Sequence, residues 1–195
     1  MKFASQRTKI ISGLCVLVAA AVLWWAVKRP PAPVDAAKIL GDHLVAGELE
    51  WLYDRSLEKD RKVTDFNLGL FNAFYDEFLR PLLSGAKAGS AATVYAGANK
   101  GVITITISKS DGTTATFDCM AFVENGEMRF PLFDAMMFAY ADLKYPDVMP
   151  GLSARLEKAW HEVGPWLLNR GIEKYYVSQD DTMLSVRAMM PKVKQ

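Results

Sequence analysis

The sequence has few of the residues from which short catalytic and metal-binding motifs are built. It contains only two histidines and two cysteines in 195 residues. His161-Glu162 does not continue into an HExxH zinc motif, because Pro165 stands where the second histidine would be. A glycine-rich phosphate loop, a GxSxG nucleophile elbow and a CxxC pair are also missing. We therefore expect no metal site and no cofactor, although a site assembled from distant residues would leave no local motif.

The two cysteines are placed where they cannot form a disulfide with each other. Cys15 lies in a long apolar segment and Cys119 in a predicted strand. The fold must therefore be stable without an intrachain disulfide. Cys119 is most simply a small buried hydrophobic residue, with a reactive thiol as the alternative.

Basic residues form no cluster in the main part of the chain. All 22 acidic residues lie after residue 29, whereas five of the 23 basic residues lie before residue 30, so the remainder carries 18 cations and a net charge of −4. Nucleic-acid binding needs a concentration of lysine and arginine on one surface. We therefore expect no nucleic-acid partner.

Charge is absent altogether from residues 10–27, IISGLCVLVAAAVLWWAV. A helix that rises ~1.5 Å per residue over this length is about long enough to cross a hydrocarbon layer of ~30 Å. The segment is therefore predicted to be a transmembrane signal anchor. The side chains expected in the bilayer or at its interface are Ile10, Leu14, Leu17, Val22, Trp24 and Trp25.

Two alternatives to a retained anchor stay open. Signal-peptide cleavage at Ala19-Ala20-Ala21 would leave a strongly apolar new terminus. A buried core helix would be unusually long without one polar group facing outward. We therefore favour retention of the segment in the membrane.

The flanking charges predict the orientation of the anchor and the division of the chain. Three cations precede the apolar segment and two follow it, which places residues 1–9 in the cytoplasm. Residues 28–34 are rich in proline and form a stiff spacer. Residues 35–195 then form one extracytoplasmic domain, which would be periplasmic in a bacterium.

The first part of this domain has apolar residues at helical spacing. The predicted helices run from Asp35 to Gly47, over residues 49–57, and from Thr64 or Asp65 to Pro81, with a loop over residues 85–90.

From residue 91 the period of the apolar residues changes to two, which indicates strands. The predicted strands are residues 102–108, 113–123 and 127–133, joined by turns at Asp111-Gly112 and Asn125-Gly126, with a fourth if residues 93–97 join them.

The C-terminal part returns to helices and ends in a predicted hairpin. The predicted helices run from Asp134 to Tyr140 and from Ser153 to a stop at Gly171, the second being broken or kinked at Gly164-Pro165. The predicted strands are residues 172–177 and 183–188. The fold class is therefore α+β, with an N-terminal transmembrane helix followed by helices packed on a curved antiparallel sheet.

Two stretches of residues 35–133 carry a resemblance to a known superfamily. Residues 44–57, LVAGELEWLYDRSL, form a helix, a glycine, an acidic residue and a second helix, and residues 114–133, TATFDCMAFVENGEMRFPLF, form a two-turn meander. Together they resemble the nuclear-transport-factor-like (SnoaL-like, cystatin-like) cone fold, with Met128 where that family usually has tryptophan. The resemblance implies a pocket between sheet and helices, used by isomerases, dehydratases and non-catalytic binding domains.

Asp118 is the best candidate for acid–base chemistry, because it lies midway along an apolar strand. Burial there would raise its pKa. The alternative is that it points to solvent, opposite Phe117 and Cys119. The side chains expected to line a pocket are Phe117, Met120, Phe122, Tyr75 and Tyr140, with Tyr175 and Tyr176 as further hydrogen-bond donors.

These observations favour a membrane-anchored, non-catalytic ligand-binding or protein-interaction domain of the cell envelope. Its expected partners are a small apolar ligand or another envelope protein, contacted through exposed Trp160 and Trp166. The second hypothesis is a small-molecule isomerase or hydrolase that uses Asp118 in a cone pocket. The third is a structural domain that dimerises through the open face of its sheet.

Overall fold

The computed structural model describes residues 33–63, 67–96, 100–149, 151–177 and 182–191. Within these ranges the protein is an α+β structure, with helices packed against a curled antiparallel sheet of order β1-β2-β3-β4 and a separate two-stranded hairpin. The predicted anchor, its flank and most of the spacer lie outside the described residues. No helix in the described ranges has the length and apolar character needed to cross a membrane.

The first two helices, α1 (Pro33–Ala46) and α2 (Leu49–Asp54), lie where helices were predicted, but α2 ends three residues early. The last two residues of the predicted spacer are helical, since proline is tolerated in the first turn of a helix. Gly47 ends α1 with a φ of 70°. The backbone N–H groups of Gly47 and Glu48 donate to the carbonyls of Leu44 and His43, at 3.3 and 3.1 Å, which satisfies the end of the helix. A glycine is needed here because a side chain disfavours this left-handed conformation.

The next helical segment begins later than the sequence predicts. Its pieces are α3 (Glu58–Val63), α4 (Leu68–Phe74), a π-helical turn (Tyr75–Leu79) and α5 (Arg80–Leu83). Asn67 caps α4, since its side-chain oxygen accepts from the N–H of Leu70 at 2.9 Å. The proposed caps Thr64 and Asp65 lie outside the described residues, and α3 was not predicted.

The sheet consists of β1 (Lys87–Ala96), β2 (Lys100–Ser108), β3 (Thr114–Glu124) and β4 (Glu127–Arg129). The alternation in β2 is confirmed, because Ile103, Ile105 and Ile107 are buried against the helices. β1 begins inside the predicted loop 85–90. Gly41 lets α1 approach the sheet closely, since a Cβ there would lie 3.2 Å from Cγ2 of Ile105.

The third predicted strand is cut short by a helix. β4 ends at Arg129, and α6 (Leu132–Lys144) begins where residues up to 133 were predicted to be extended. The alternation fails there because Phe130, Leu132 and Phe133 are all buried. Asp134 lies in the first turn of α6, not at its cap.

The helix α7 (Leu152–Leu168) runs through Gly164-Pro165, so the helix is not broken there, and the predicted alternative of a kink stays a prediction. A proline deprives a helix of one hydrogen bond, and here Pro165 is exposed while its neighbours Gly164 and Trp166 are buried. Gly164 in particular is covered by Met190, whose Cγ would lie 2.4 Å from a Cβ at that position. Gly171 follows the helix with a φ of 78°, as predicted.

The C-terminal hairpin is confirmed, with β5 (Lys174–Val177) paired to β6 (Thr182–Ser185). The second strand is shorter than predicted, because residues 186–188 belong to the helix α8 (Val186–Met189).

One aromatic cluster joins the helical segments. Phe74 has ring contacts with Phe78, Phe133 and Trp166, at centroid distances of 5.0, 5.1 and 5.8 Å. Trp160 and Trp166 are buried, which corrects their predicted role as exposed contact residues. The indole N–H of Trp166 donates to Glu77 at 2.5 Å. Cys119 is a free, buried thiol in β3, as the simplest interpretation predicted.

Candidate functional site

The five side chains predicted to line a pocket do not come together. Phe117 points into the core, whereas Met120 and Phe122 are half-buried on the opposite face of β3. The hydroxyl of Tyr75 donates to the carbonyl of Leu44 at 2.9 Å. Tyr140 donates to Glu162 at 2.5 Å, so both tyrosines hold helices together.

Asp118 lies on the solvent-facing side of the sheet. Its carboxylate accepts a hydrogen bond from Thr104 of β2 at 2.7 Å, and the residue is exposed. The buried environment that would make Asp118 a general acid or base is therefore absent. The structure therefore agrees with the alternative interpretation, in which Asp118 points to solvent.

A small, partly open cavity instead lies between the segment after α2 and the start of α6. We call it the aromatic cavity; it has a volume of about 20 Å³. Its wall also contains Ser56, Asp60, Arg61 and Leu132. Five aromatic side chains line it: Tyr53, Phe71, Phe133, Tyr175 and Tyr176.

Hydrogen bonds between distant parts of the chain hold this cavity in shape. The N–H of Leu57 donates to the carbonyl of Phe130, and the N–H of Phe130 donates to the carbonyl of Arg55, both at 2.9 Å. The guanidinium of Arg129 also donates to the carbonyl of Asp54. The chain entering α3 is thereby fixed beside the chain entering α6, which brings Asp60 next to Phe133.

Asp60 is the unusual titratable group of the cavity. Burial, together with the nearby charges of Asp134 and Glu124, raises the pKa of its carboxyl to about 7 against a weaker opposing effect of Lys59. A carboxyl with such a pKa takes up and releases a proton near neutral pH. The described ranges contain no group of three ligating side chains suited to a metal ion.

Two of the cavity tyrosines contact cationic side chains of α3, the helix that contains Asp60. The Lys59 ammonium lies 4.7 Å from the ring centroid of Tyr176, and the Arg61 guanidinium lies 6.0 Å from that of Tyr53. These distances are those of cation–π contacts. The aromatic wall therefore has an electron-rich surface that already binds positive charge.

A second concavity adjoins the aromatic cavity, and we call it the groove. It has a volume of about 130 Å³ and shares Tyr175 with the cavity. Tyr175 lies between the two, with ring centroids 4.9 Å from Phe133 and 5.8 Å from Trp160. The groove is lined by Asp134, Met137, Phe138, Leu156, Trp160, Tyr175 and Met189.

The helices that form the groove are clamped together by charged and polar pairs. Arg155 of α7 donates to Asp142 of α6 at 2.6 Å, and Glu162 of α7 accepts from Tyr140 and Tyr145. A larger depression of about 490 Å³ near Asn67 and Arg170 contains no aromatic or carboxylate side chain. Cavity and groove together are therefore the better candidate site.

Sequence reasoning missed most of this site. Tyr175 and Tyr176 were expected only as general hydrogen-bond donors, and no local pattern marks Asp60, which lies in the highly charged stretch EKDRKV. The only signal in the sequence was the run of aromatic residues, which is equally typical of a core.

Comparison with known proteins does not assign the chain to a family. No family profile matches it, and no curated protein matches it. Among solved structures it is similar to the solution structure of a SEC-C motif containing protein from Rhodopseudomonas palustris, with a TM-score of 0.28 and 10% identity over 45% of this chain and 66% of that chain. A similarity of that size carries no argument about fold or function, and the resemblance to the cone superfamily stays a prediction.

Proposed function

We propose that this protein is a membrane-tethered, non-catalytic binding domain of the cell envelope, which holds a small, mostly apolar ligand in the groove and aromatic cavity. The observation that supports it is the pair of concavities on either side of Tyr175, lined by aromatic and methionine side chains with a few carboxyl groups. Sites for small molecules typically combine apolar walls with a small number of polar groups. Methionine side chains adapt to ligands of different shape.

The direct test is native mass spectrometry of the full-length protein released from detergent micelles. We expect a retained small molecule that is lost when Trp160→Ala opens the groove. Trp51→Ala is the matched control, because Trp51 stacks on His43 outside both concavities. If the protein retains no small molecule and also binds no apolar probe, the proposed binding function is contradicted.

The proposed attachment to the membrane depends on the uncharged residues 10–27. We expect the full-length protein to stay with membranes in alkaline carbonate and to be released by detergent. The double variant Leu14→Arg, Leu17→Arg is expected to leave the membrane fraction, because each charge at the centre of a span costs about 3 kcal/mol. Release of the wild-type protein by carbonate would show that residues 10–27 are no anchor.

One observation favours an isomerase or hydrolase as a second candidate. Asp60, whose pKa of about 7 suits proton transfer at neutral pH, lines the aromatic cavity, whereas Asp118 is exposed on the sheet. If a substrate screen finds turnover, Asp60→Asn should reduce kcat on the order of 100-fold while Asp118→Asn leaves it unchanged. Equal activity of both variants would exclude Asp60 as the acid or base.

A further inference from the structure

The walls of the aromatic cavity combine the two features that select a positive charge. Five of the lining side chains present aromatic rings, whose faces are electron-rich. The same wall contains the carboxyl of Asp60. A neutral apolar ligand would need only the rings.

The charges around Asp60 are predominantly negative. Asp134 of α6 and Glu124 of β3 act on it from two other elements, and their combined effect exceeds that of Lys59. Glu124 is held at the start of α3, where the N–H of Glu58 donates to it at 3.5 Å. Glu124 is therefore held beside α3, the helix that carries Asp60.

The cations nearby are engaged with the outer rings. Lys59 lies over Tyr176 and Arg61 over Tyr53. Arg61 also lines the cavity, so a ligand carboxylate is the competing possibility that a test must include.

The size of the cavity restricts the group that fits. A volume of about 20 Å³ is room for about one water molecule. A primary ammonium group has that size, whereas a trimethylammonium group is several times larger. The wider groove beyond Tyr175 then accepts a hydrocarbon chain.

We propose that the aromatic cavity binds the primary ammonium group of an otherwise apolar amine, paired with Asp60 and surrounded by Tyr53, Tyr175 and Tyr176, while the apolar part of the amine occupies the groove. This inference rests on the binding function proposed above and names the class of its ligand.

The test compares three six-carbon probes that differ only in the head group: hexylammonium, 1-hexanol and hexanoate. Binding to the full-length protein in nanodiscs is measured by saturation-transfer NMR at pH 8, with empty nanodiscs subtracted. We expect hexylammonium to bind on the order of tenfold more tightly than hexanol, because the ion pair and the ring faces act on the charged head alone. Hexanoate should bind most weakly.

Two variants test whether the preference for hexylammonium arises at Asp60. Asp60→Asn should remove the preference for hexylammonium while leaving hexanol binding within about twofold, because the amide keeps the shape and loses the charge. The matched control Asp42→Asn changes an exposed carboxylate paired with Lys38 and should leave both affinities unchanged. If Asp60→Asn fails to fold, Tyr176→Leu serves instead and should reduce the preference on the order of threefold.

The remaining outcomes separate the proposed ammonium site from the proposed apolar binding function. Equal affinity for the three probes would overturn the ammonium site and leave the apolar binding function standing. Tightest binding of hexanoate would overturn it in favour of Arg61. Absence of binding by every probe would contradict both proposals.

Discussion

Asp60 links the stability of the protein to pH. Its carboxyl has a pKa of about 7 in the folded protein, against an ordinary value of 3.8. Between these values the folded state holds a proton that the unfolded chain has released, so the contribution of this group to stability is full below about pH 4 and is lost as the pH rises through about 7.

Asp60→Asn is therefore expected to stabilise the protein at pH 8 and to have much less effect at pH 5. The upper limit of the gain is about 4 kcal/mol, which corresponds to a shift of about three pKa units. Thermal unfolding of both proteins at the two pH values measures the difference. Asp42→Asn should show none of this pH dependence, and an identical shift for Asp60→Asn at both values would contradict the assigned cause.

At the scale of elements, Gly47 and Gly171 end two helices with the same left-handed geometry and differ in what surrounds them. A Cβ at Gly47 would lie 3.1 Å from the hydroxyl of Tyr75, whereas a Cβ at Gly171 would meet nothing within 4 Å. Tyr75 cannot easily move, because it is buried and its hydroxyl is bonded to Leu44.

We expect Gly171→Ala to cost about 1 kcal/mol of unfolding free energy, the cost of placing a side chain in this conformation. Gly47→Ala should cost about 2 kcal/mol, because it adds crowding against Tyr75. Urea unfolding of the two variants measures the difference. Equal costs would mean that Tyr75 yields without strain.

The sequence predicted the type of a secondary-structure element correctly where it contained a strong apolar periodicity or a clear turn signal. The isoleucines of β2 and the turn at Asn125-Gly126 each produced a correct prediction. α3 was missed because EKDRKV has no apolar repeat. Of the predicted break or kink at Gly164-Pro165, the break is wrong, because α7 continues through both residues and tertiary context can override local propensity.

At the scale of the whole molecule, Phe74 connects the helical segments. Its ring contacts α6 through Phe133 and α7 through Trp166. Phe74→Ala should cost about 3–5 kcal/mol. Phe122→Ala, on the half-buried open face of the sheet, should cost clearly less. Chemical unfolding followed by tryptophan fluorescence and by circular dichroism should give one coincident transition, and separated transitions would show that the parts unfold independently.

The candidate site could not be predicted from the sequence, because it depends on how the whole molecule folds. Its wall combines residues 53–61, 132–133 and 175–176, which the bridge between Ser56 and Phe130 and the C-terminal hairpin bring together. Composition and periodicity describe neighbours along the chain, and this site is made of residues that are distant along it.

The buried thiol of Cys119 gives the protein an intrinsic reporter of its own opening. Burial raises its pKa far above the ordinary value and places the sulfur out of reach of alkylating reagents while β3 is intact. In a Cys15→Ala background every labelled molecule must have opened around the central strand, so the alkylation rate divided by that of a free thiol gives the equilibrium constant for opening. The free energy of that fluctuation can then be followed in intact membranes, where no denaturant is usable. Its change on adding an amine would report occupancy of the candidate site.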